Sequence, residues 1–394
     1  MRPRRDVLVG SPAGPSKEAP RANRARPLPI ASVSATLAAA LGLFAVLSPP
    51  APPEKKLLQW GWDEPDTAYL RAHLPKMEES PFDGCIFGVR YGEGGRGGSF
   101  SWQAWGRRRF TDDDLASAFA DLRTLRPRRF SELFLRLNVT PGDVGWFQDY
   151  SAIVSNARLA ARLARAGRAR GVLIDVEQYQ AQLFDFRRQP MAEAYGWAAY
   201  AAQARRRGRE VMTAFQEGYP GLTVFLTFGY TLPWVLSDKG QQPLAETPYG
   251  LLASFLDGML EAGEGCTRLI DGFELSYGYR HSQNFTEARR LFREVHPIVR
   301  QPSRYRARLQ LGFGLWLDYD WRRLGWSPTE VEKNYFTPTI FGASLRAALQ
   351  ESDRYVWVYA ETPRWWDGGS RAGLPTPYAV VLGRAHLAAL SPRR

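Results

Sequence analysis

Residues 171–179 read GVLIDVEQY. Val172, Leu173, Ile174 and Val176 make the apolar, β-branched run of a strand covered on both faces. Side chains alternate along a strand, so Val172, Ile174 and Val176 share one face while Leu173, Asp175 and Glu177 share the other. One face is apolar throughout. The other turns acidic at its carboxyl end, as expected of a strand that runs out into a cavity.

Seven further runs follow the same plan: 57–65, 84–90, 132–139, 222–230, 271–279, 309–318 and 355–361. Helical patterns separate them, and a last one, PYAVVLGRAHLAAL, follows the eighth strand. Strictly alternating strands and helices predict a parallel sheet, and eight of each predict an α/β fold of the (β/α)8 TIM-barrel type over residues 57–394. In the third strand Leu133, Leu135 and Leu137 alternate with Phe134, Arg136 and Asn138. In the seventh, Leu311, Phe313, Leu315 and Leu317 alternate with Gly312, Gly314, Trp316 and Asp318. In the eighth, Val356, Val358 and Ala360 alternate with Tyr355, Trp357, Tyr359 and Glu361. The apolar face suits a helix layer, and the face that becomes polar suits a barrel mouth. An open doubly wound sheet would not need polar residues at nearly every strand end.

The 394 residues are 44% hydrophobic and 13% aromatic, with thirteen Trp and seventeen Tyr, a globular composition with rings to spare for stacking on a flat ligand. The net charge is +12, and half of it lies in residues 1–56, where nine basic residues face three acidic ones. No basic stripe interleaved with aromatics marks a nucleic-acid surface. Residues 1–29 read as a basic tail, and 30–47 (IASVSATLAAALGLFAVL) as an uncharged run long enough to span a bilayer. Residues 48–56 read as a Pro-rich linker. That layout predicts export, with 30–47 either a cleaved signal or a transmembrane anchor.

Cys85 and Cys266 are the two cysteines, without metal-ligand spacing, and are expected as buried thiols. No HxH on the first strand and no GxSxG is present, and no GxGxxG fits a nucleotide fold, so no metal or other cofactor is expected. The Gly-rich loop 91–106 lacks the GK[ST] of a phosphate cradle and reads as a lid whose Trp102 and Trp105 close on a ligand.

Active sites of such barrels lie at the carboxyl ends of the strands. Those ends carry Asp63, Glu64, Arg90, Asn138, Asp175, Glu177, Tyr230, Glu274, Tyr277, Trp316, Asp318 and Glu361. Several acids beside Trp and Tyr suit cleavage of a glycosidic bond, which needs one carboxylic acid to protonate the leaving oxygen and a second carboxylate as nucleophile or base. Glu177 is the expected acid, with Asp175 crowding it. Glu274, then Glu361, then Asp318 are candidates for the second carboxylate. Asp63, Arg90, Asn138, Tyr230, Tyr277, Trp316, Asp318 and Trp365 are candidates to bind an oligo- or polysaccharide.

Simpler roles compete. Asp175 pairs equally well with Arg136 one strand over, Asp63 can cap the first helix, and Trp365 and Trp366 can be loop packing. Two other functions use the same residues: a sugar-binding barrel without turnover, and a lyase or isomerase with a divalent ion on Asp175, Glu177 and Glu274.

The strand-four motif, the order of elements and the aromatic eighth strand resemble (β/α)8-barrel glycoside hydrolases. The closest motif is the D-x-x-D-x-D-x-E of chitinase-type enzymes. Asp175 and Glu177 match its last two acids, while Arg170 and Leu173 stand at the first two. Tyr277 and Trp357 match that family's strand-six tyrosine and strand-eight tryptophan. The resemblance implies Glu177 as proton donor and Asp175 as the group that orients a substrate acetamide. The motifs GWDEP (61–65), LIDVEQY (173–179), GFELSYGY (272–279) and YVWVYAETPRWW (355–366) suggest a separate family of barrel hydrolases.

Overall fold

A computed structural model of the chain describes residues 54–366 and 373–390. The predicted basic tail and the apolar segment 30–47 lie outside the described residues. Among the described residues no helix is long and apolar enough to cross a membrane.

The strands are β1 (Lys56–Gly61), β2 (Gly84–Phe87), β3 (Phe134–Asn138), β4 (Gly171–Asp175), β5 (Thr223–Leu226), β6 (Arg268–Asp271), β7 (Leu309–Leu311 and Phe313–Trp316) and β8 (Tyr355–Ala360). The helices that follow them in turn are α1 (Thr67–Met77), α2 (Ala116–Thr124), α3 (Ser151–Ala166), α4 (Ala192–Gly218), α5 (Gly250–Ala262), α6 (Ser282–Glu294), α7 (Pro338–Glu351) and α8 (Thr376–Leu390). All pairings in the main sheet are parallel, and its order runs β1-β2-β3-β4-β5-β6 on one side and β1-β8 on the other.

Strand β7 closes the ring. Its first half pairs with β6 and its second half with β8. The break falls at Gly312, whose N–H donates to the Asp271 carbonyl at 2.7 Å. The protein is thus a closed (β/α)8 barrel, with one stave that changes partner midway.

The facing read from the sequence holds. Leu58, Trp60, Ile86, Phe134, Leu173, Phe225, Ile270, Tyr355 and Trp357 fill the interior as one cluster. Val172, Ile174, Leu135, Leu137, Phe313, Leu315, Val356 and Val358 pack outward among the helices. Trp357 crosses the interior because glycine stands opposite it: a Cβ on Gly314 would lie 2.7 Å from its ring. Its indole N–H donates to the Gly272 carbonyl at 2.9 Å.

One strand was misplaced by sequence. The run 271–279 does not form β6, which is RLID, 268–271. Asp271 ends the strand, Phe273 takes a left-handed conformation at φ 48°, and Glu274–Ser276 form a 3-10 turn. Glu274 therefore stands above the strand end on a strained turn, not inside the barrel. Cys85 is buried as expected. Cys266 is exposed, and both thiols are free.

Candidate active site

The interior cluster ends upward in a ring of polar groups at the carboxyl ends of the strands. On β3, Arg136 and Asn138 point in. Arg136 is 8% exposed and pairs with Glu64 after β1, Nε to Oε2 at 2.6 Å and Nη2 to Oε1 at 3.0 Å. The Trp60 indole also donates to Glu64, at 2.8 Å. Arg136 donates through Nη1 to the Asn138 Oδ1, and the Asn138 Nδ2 donates to Asp175 at 2.7 Å. The direct Arg136–Asp175 pair that the sequence left as an alternative is replaced by this relay, and Glu64 is the ion-pair partner of Arg136. Asp175 had looked free to pair because nothing in sequence placed Glu64 beside β3.

Asp175 is 1% exposed. It also accepts from the Glu177 N–H at 3.1 Å and the Tyr179 hydroxyl at 3.3 Å. Burial, then the charge of Glu177, pushes its carboxyl from 3.8 up to about 7, against the pull of Arg136. Glu177 is half-buried and accepts from the Tyr179 hydroxyl. Burial raises its carboxyl, and that hydrogen bond opposes the rise. Glu274 is 9% exposed, and its Oε2 has no hydrogen-bond partner. Burial, then repulsion from Glu177 and Asp175, holds its carboxyl well above the carboxylate range, with Tyr277 pulling the other way. Three carboxylates from two strand ends therefore compete for protons in one water-poor space.

Aromatic rings surround them. Tyr277 contacts Trp357, Trp316 and Tyr359 at 5.2, 5.6 and 5.5 Å between centroids. Trp102 covers Arg136 at 4.8 Å and meets Tyr179 at 5.3 Å. Trp62, Trp102 and Tyr179 remain open to solvent. Tyr179 and Trp62 were not singled out by sequence, and Glu64 was named at a strand end without a role. Each lies within a quoted motif, and their placement at strand ends was the available signal.

Other candidates have structural work. Asp63 ties the β1 end to the β8 loop: it accepts from the backbone N–H groups of Trp365 and Trp366 and from Gln59. The cap of α1 is Asp66. Trp365 packs edge-on against Phe82, as loop packing. Asp318 accepts from the Trp316 indole and from the Glu361 and Thr362 N–H groups. Glu361 is paired with Arg322 and accepts from the Trp321 indole. Tyr230 lies outside the sheet, donating to Asp257 of α5 at 2.9 Å. Arg90 is exposed on a two-residue hairpin with 98–99 and bonds the Gly95 carbonyl. Trp105 is buried against Phe255, so of the two loop tryptophans only Trp102 reaches the mouth. Arg170, at the first position of the chitinase-type motif, binds Glu132 at the opposite end of β4.

Among the described residues no group of three or more His, Cys, Asp or Glu is spaced to hold a metal ion. A cleft of about 590 Å³ opens at the amino-terminal end of the barrel, lined by Gln216, Glu217, Glu264 and Cys266 among others and by no aromatic ring. Ends of that kind serve stability in barrels, and the carboxylate cluster lies at the other end.

No family model matches the chain. No curated protein matches it. Among solved structures it is similar to the GH5_18 protein of Streptomyces cattleya in complex with GlcNAc, at 14% identity over 87% of this chain and 82% of that one, with a TM-score of 0.44. It is also similar to an endo-beta-1,4-glucanase of Xanthomonas axonopodis pv. citri, at 12% identity over 86% of this chain and 100% of that one, with a TM-score of 0.42.

Proposed function

We propose that this chain hydrolyses glycosidic bonds in an oligo- or polysaccharide, by carboxylate chemistry at the barrel mouth. The observation that carries the reading is the cluster of Asp175, Glu177 and Glu274, desolvated and mutually repelling beneath exposed Trp and Tyr rings. Glycosidic cleavage needs one protonated and one ionised carboxyl at the same site. An environment that pushes neighbouring acids apart in affinity for protons supplies both at one pH.

Glu274 is the more desolvated and lacks a donor on Oε2, so it holds the proton and gives it to the leaving oxygen. Glu177 is nearer solvent and accepts from Tyr179, so it carries the charge and acts as nucleophile or base. The sequence put the proton on Glu177; burial and hydrogen bonding favour the reverse. Asp175, anchored by Asn138, Tyr179 and the Glu177 N–H, sets the charge balance between them. The apolar segment 30–47 supports a location outside the cytoplasm, with the chain secreted or held at the membrane.

The test is turnover by the full chain on aryl glycosides and polysaccharides, with and without chelator. Glu274→Gln is expected to lose natural substrates yet keep dinitrophenyl glycosides, whose leaving group needs no proton. Glu177→Gln is expected to lose both. The opposite pattern would return the proton to Glu177. Turnover abolished by chelator would replace this mechanism with a metal-dependent one, and binding without any turnover would leave a sugar-binding barrel.

A further inference from the structure

The mouth has a second feature that general acid–base chemistry does not use. Trp62, directly after β1, is 56% exposed. Two guanidinium groups flank its ring, Arg322 and Arg364, each 5.8 Å from the centroid. Arg322 also lies 5.6 Å from Trp316 and 4.9 Å from Trp321, so one sector of the rim, between β1, β7 and β8, is a set of indoles held by arginines.

Arg364 is the unusual member. It is 9% exposed, and its Nη1 is buried with no hydrogen-bond partner. A buried guanidinium N–H without an acceptor is costly, and such groups in native proteins call for an explanation. Asp63 feels its charge, but the Asp63 oxygens are already taken by Gln59 and two backbone N–H groups. Arg322 spends one nitrogen on Glu361 while its side chain stays 56% exposed, and a guanidinium has five donors to offer.

We infer that this sector is a subsite for an acidic sugar, a uronate. Its ring would lie on Trp62 and its carboxylate would be bound by the free N–H groups of Arg364 and Arg322. Neutral sugars are held through hydroxyls, for which carboxylate and amide side chains suffice. A planar fork of donors beside an apolar ring matches a carboxylate on a sugar whose C–H face lies on that ring instead. The inference rests on the mouth being a saccharide site, and it narrows the substrate to polymers that carry uronic acids.

Binding tests it independently of turnover. The full chain is run by affinity electrophoresis in gels containing polygalacturonate, alginate or glucuronoxylan, and in gels containing the carboxyl-reduced form of each. At least one acidic polymer is expected to retard the protein, its reduced form to do so at least tenfold more weakly, and added salt to weaken the retardation. Arg364→Gln is expected to weaken it about tenfold, one charge-assisted hydrogen bond. Trp62→Ala, at an exposed position that leaves the fold intact, is expected to do the same. Arg306→Gln, on the exposed side of the segment before β7, is the control for non-specific charge and is expected to change nothing. Equal retardation by acidic and reduced polymers, an equal loss in the Arg306 variant, or retardation by sulfated polymers alone overturns the inference. Cleavage of neutral glycans with no acidic preference overturns the subsite and leaves the hydrolase reading standing. Tight acidic binding with no cleavage does the reverse.

Discussion

Replacing Glu177 by Gln removes one charge from a crowded site, and the fold should become more stable where the charge exists. In the native protein the Asp175 carboxyl is raised from 3.8 to about 7. At about 1.4 kcal/mol per pH unit, keeping Asp175 ionised in the folded state costs about 4 kcal/mol relative to water. Burial is the larger cause and Glu177 the second, so the share that Gln releases is about 1–2 kcal/mol. Glu274 is relieved too, since the Glu177 charge also raises it. The pH dependence has a definite sign. Below the unfolded carboxyl value near 4 both states hold the proton, and the acids cost nothing. As pH rises towards 7 the unfolded chain releases protons that the folded site retains, and native stability falls. Above about 7 the cost is complete. Glu177→Gln should therefore melt like wild type at pH 4 and about 2 °C higher at pH 8, a small shift because the domain is large. The assay is a thermal melt of both proteins across that range, followed by circular dichroism. A variant that is less stable at pH 8, or equally shifted at both ends, refutes the claim that these carboxylates repel one another in the fold. Activity should vanish in the same protein, the trade expected where a site is held in an unfavourable state for function.

Two further changes probe the surrounding groups. Tyr179→Phe takes a donor from both Glu177 and Asp175; it should move the acid limb of the kcat/KM–pH profile to higher pH and cut kcat/KM about tenfold below that limb, with little effect on melting, and an unmoved limb would show that the hydroxyl does not tune the ionised carboxylate. Arg136→Met leaves the largely buried Glu64 carboxylate with only the Trp60 indole for company; it should cost about 3 kcal/mol in urea denaturation, and adding Glu64→Gln should recover most of that, whereas equal losses in single and double variants would refute a desolvated ion pair.

The barrel was legible because it is written locally. Alternation within a strand and a helix after each strand need no knowledge of distant partners, and β3, β4, β7 and β8 face as their sequences imply. The shift of β6 has a local cause as well. GFELSYGY has more aromatic and β-like character than RLID, yet the shorter segment pairs with β5 and the longer one turns at Phe273. The division of roles among the strand-end acids was not legible. Whether Glu361 is free depends on Arg322, and whether Asp318 is free depends on the backbone of 361–362. Tyr230 has the right spacing for the mouth, but the chain turns outward after Leu226 and presents it to Asp257.

The hydrogen-bond partners of the acids separate scaffold from chemistry by a physical criterion. Asp63, Asp271 and Asp318 each collect at least three donors, at least two of them backbone N–H groups and at least one from a neighbouring loop. A carboxylate so bound fastens one strand end to the next, and its lone pairs are not available to a substrate. These three acids brace the rim between β8 and β1, β5 and β6, and β7 and β8. Glu274 stands three residues beyond one of them with an unclaimed oxygen, and Glu177 has only a tyrosine that is itself half-exposed. Full satisfaction would have made the site more stable and chemically inert. The bracing aspartates keep the rim rigid, and that rigidity lets a pair of poorly satisfied glutamates persist at its centre, where, in the proposed reaction, positive charge developing on a substrate would meet the acceptors the fold has left open.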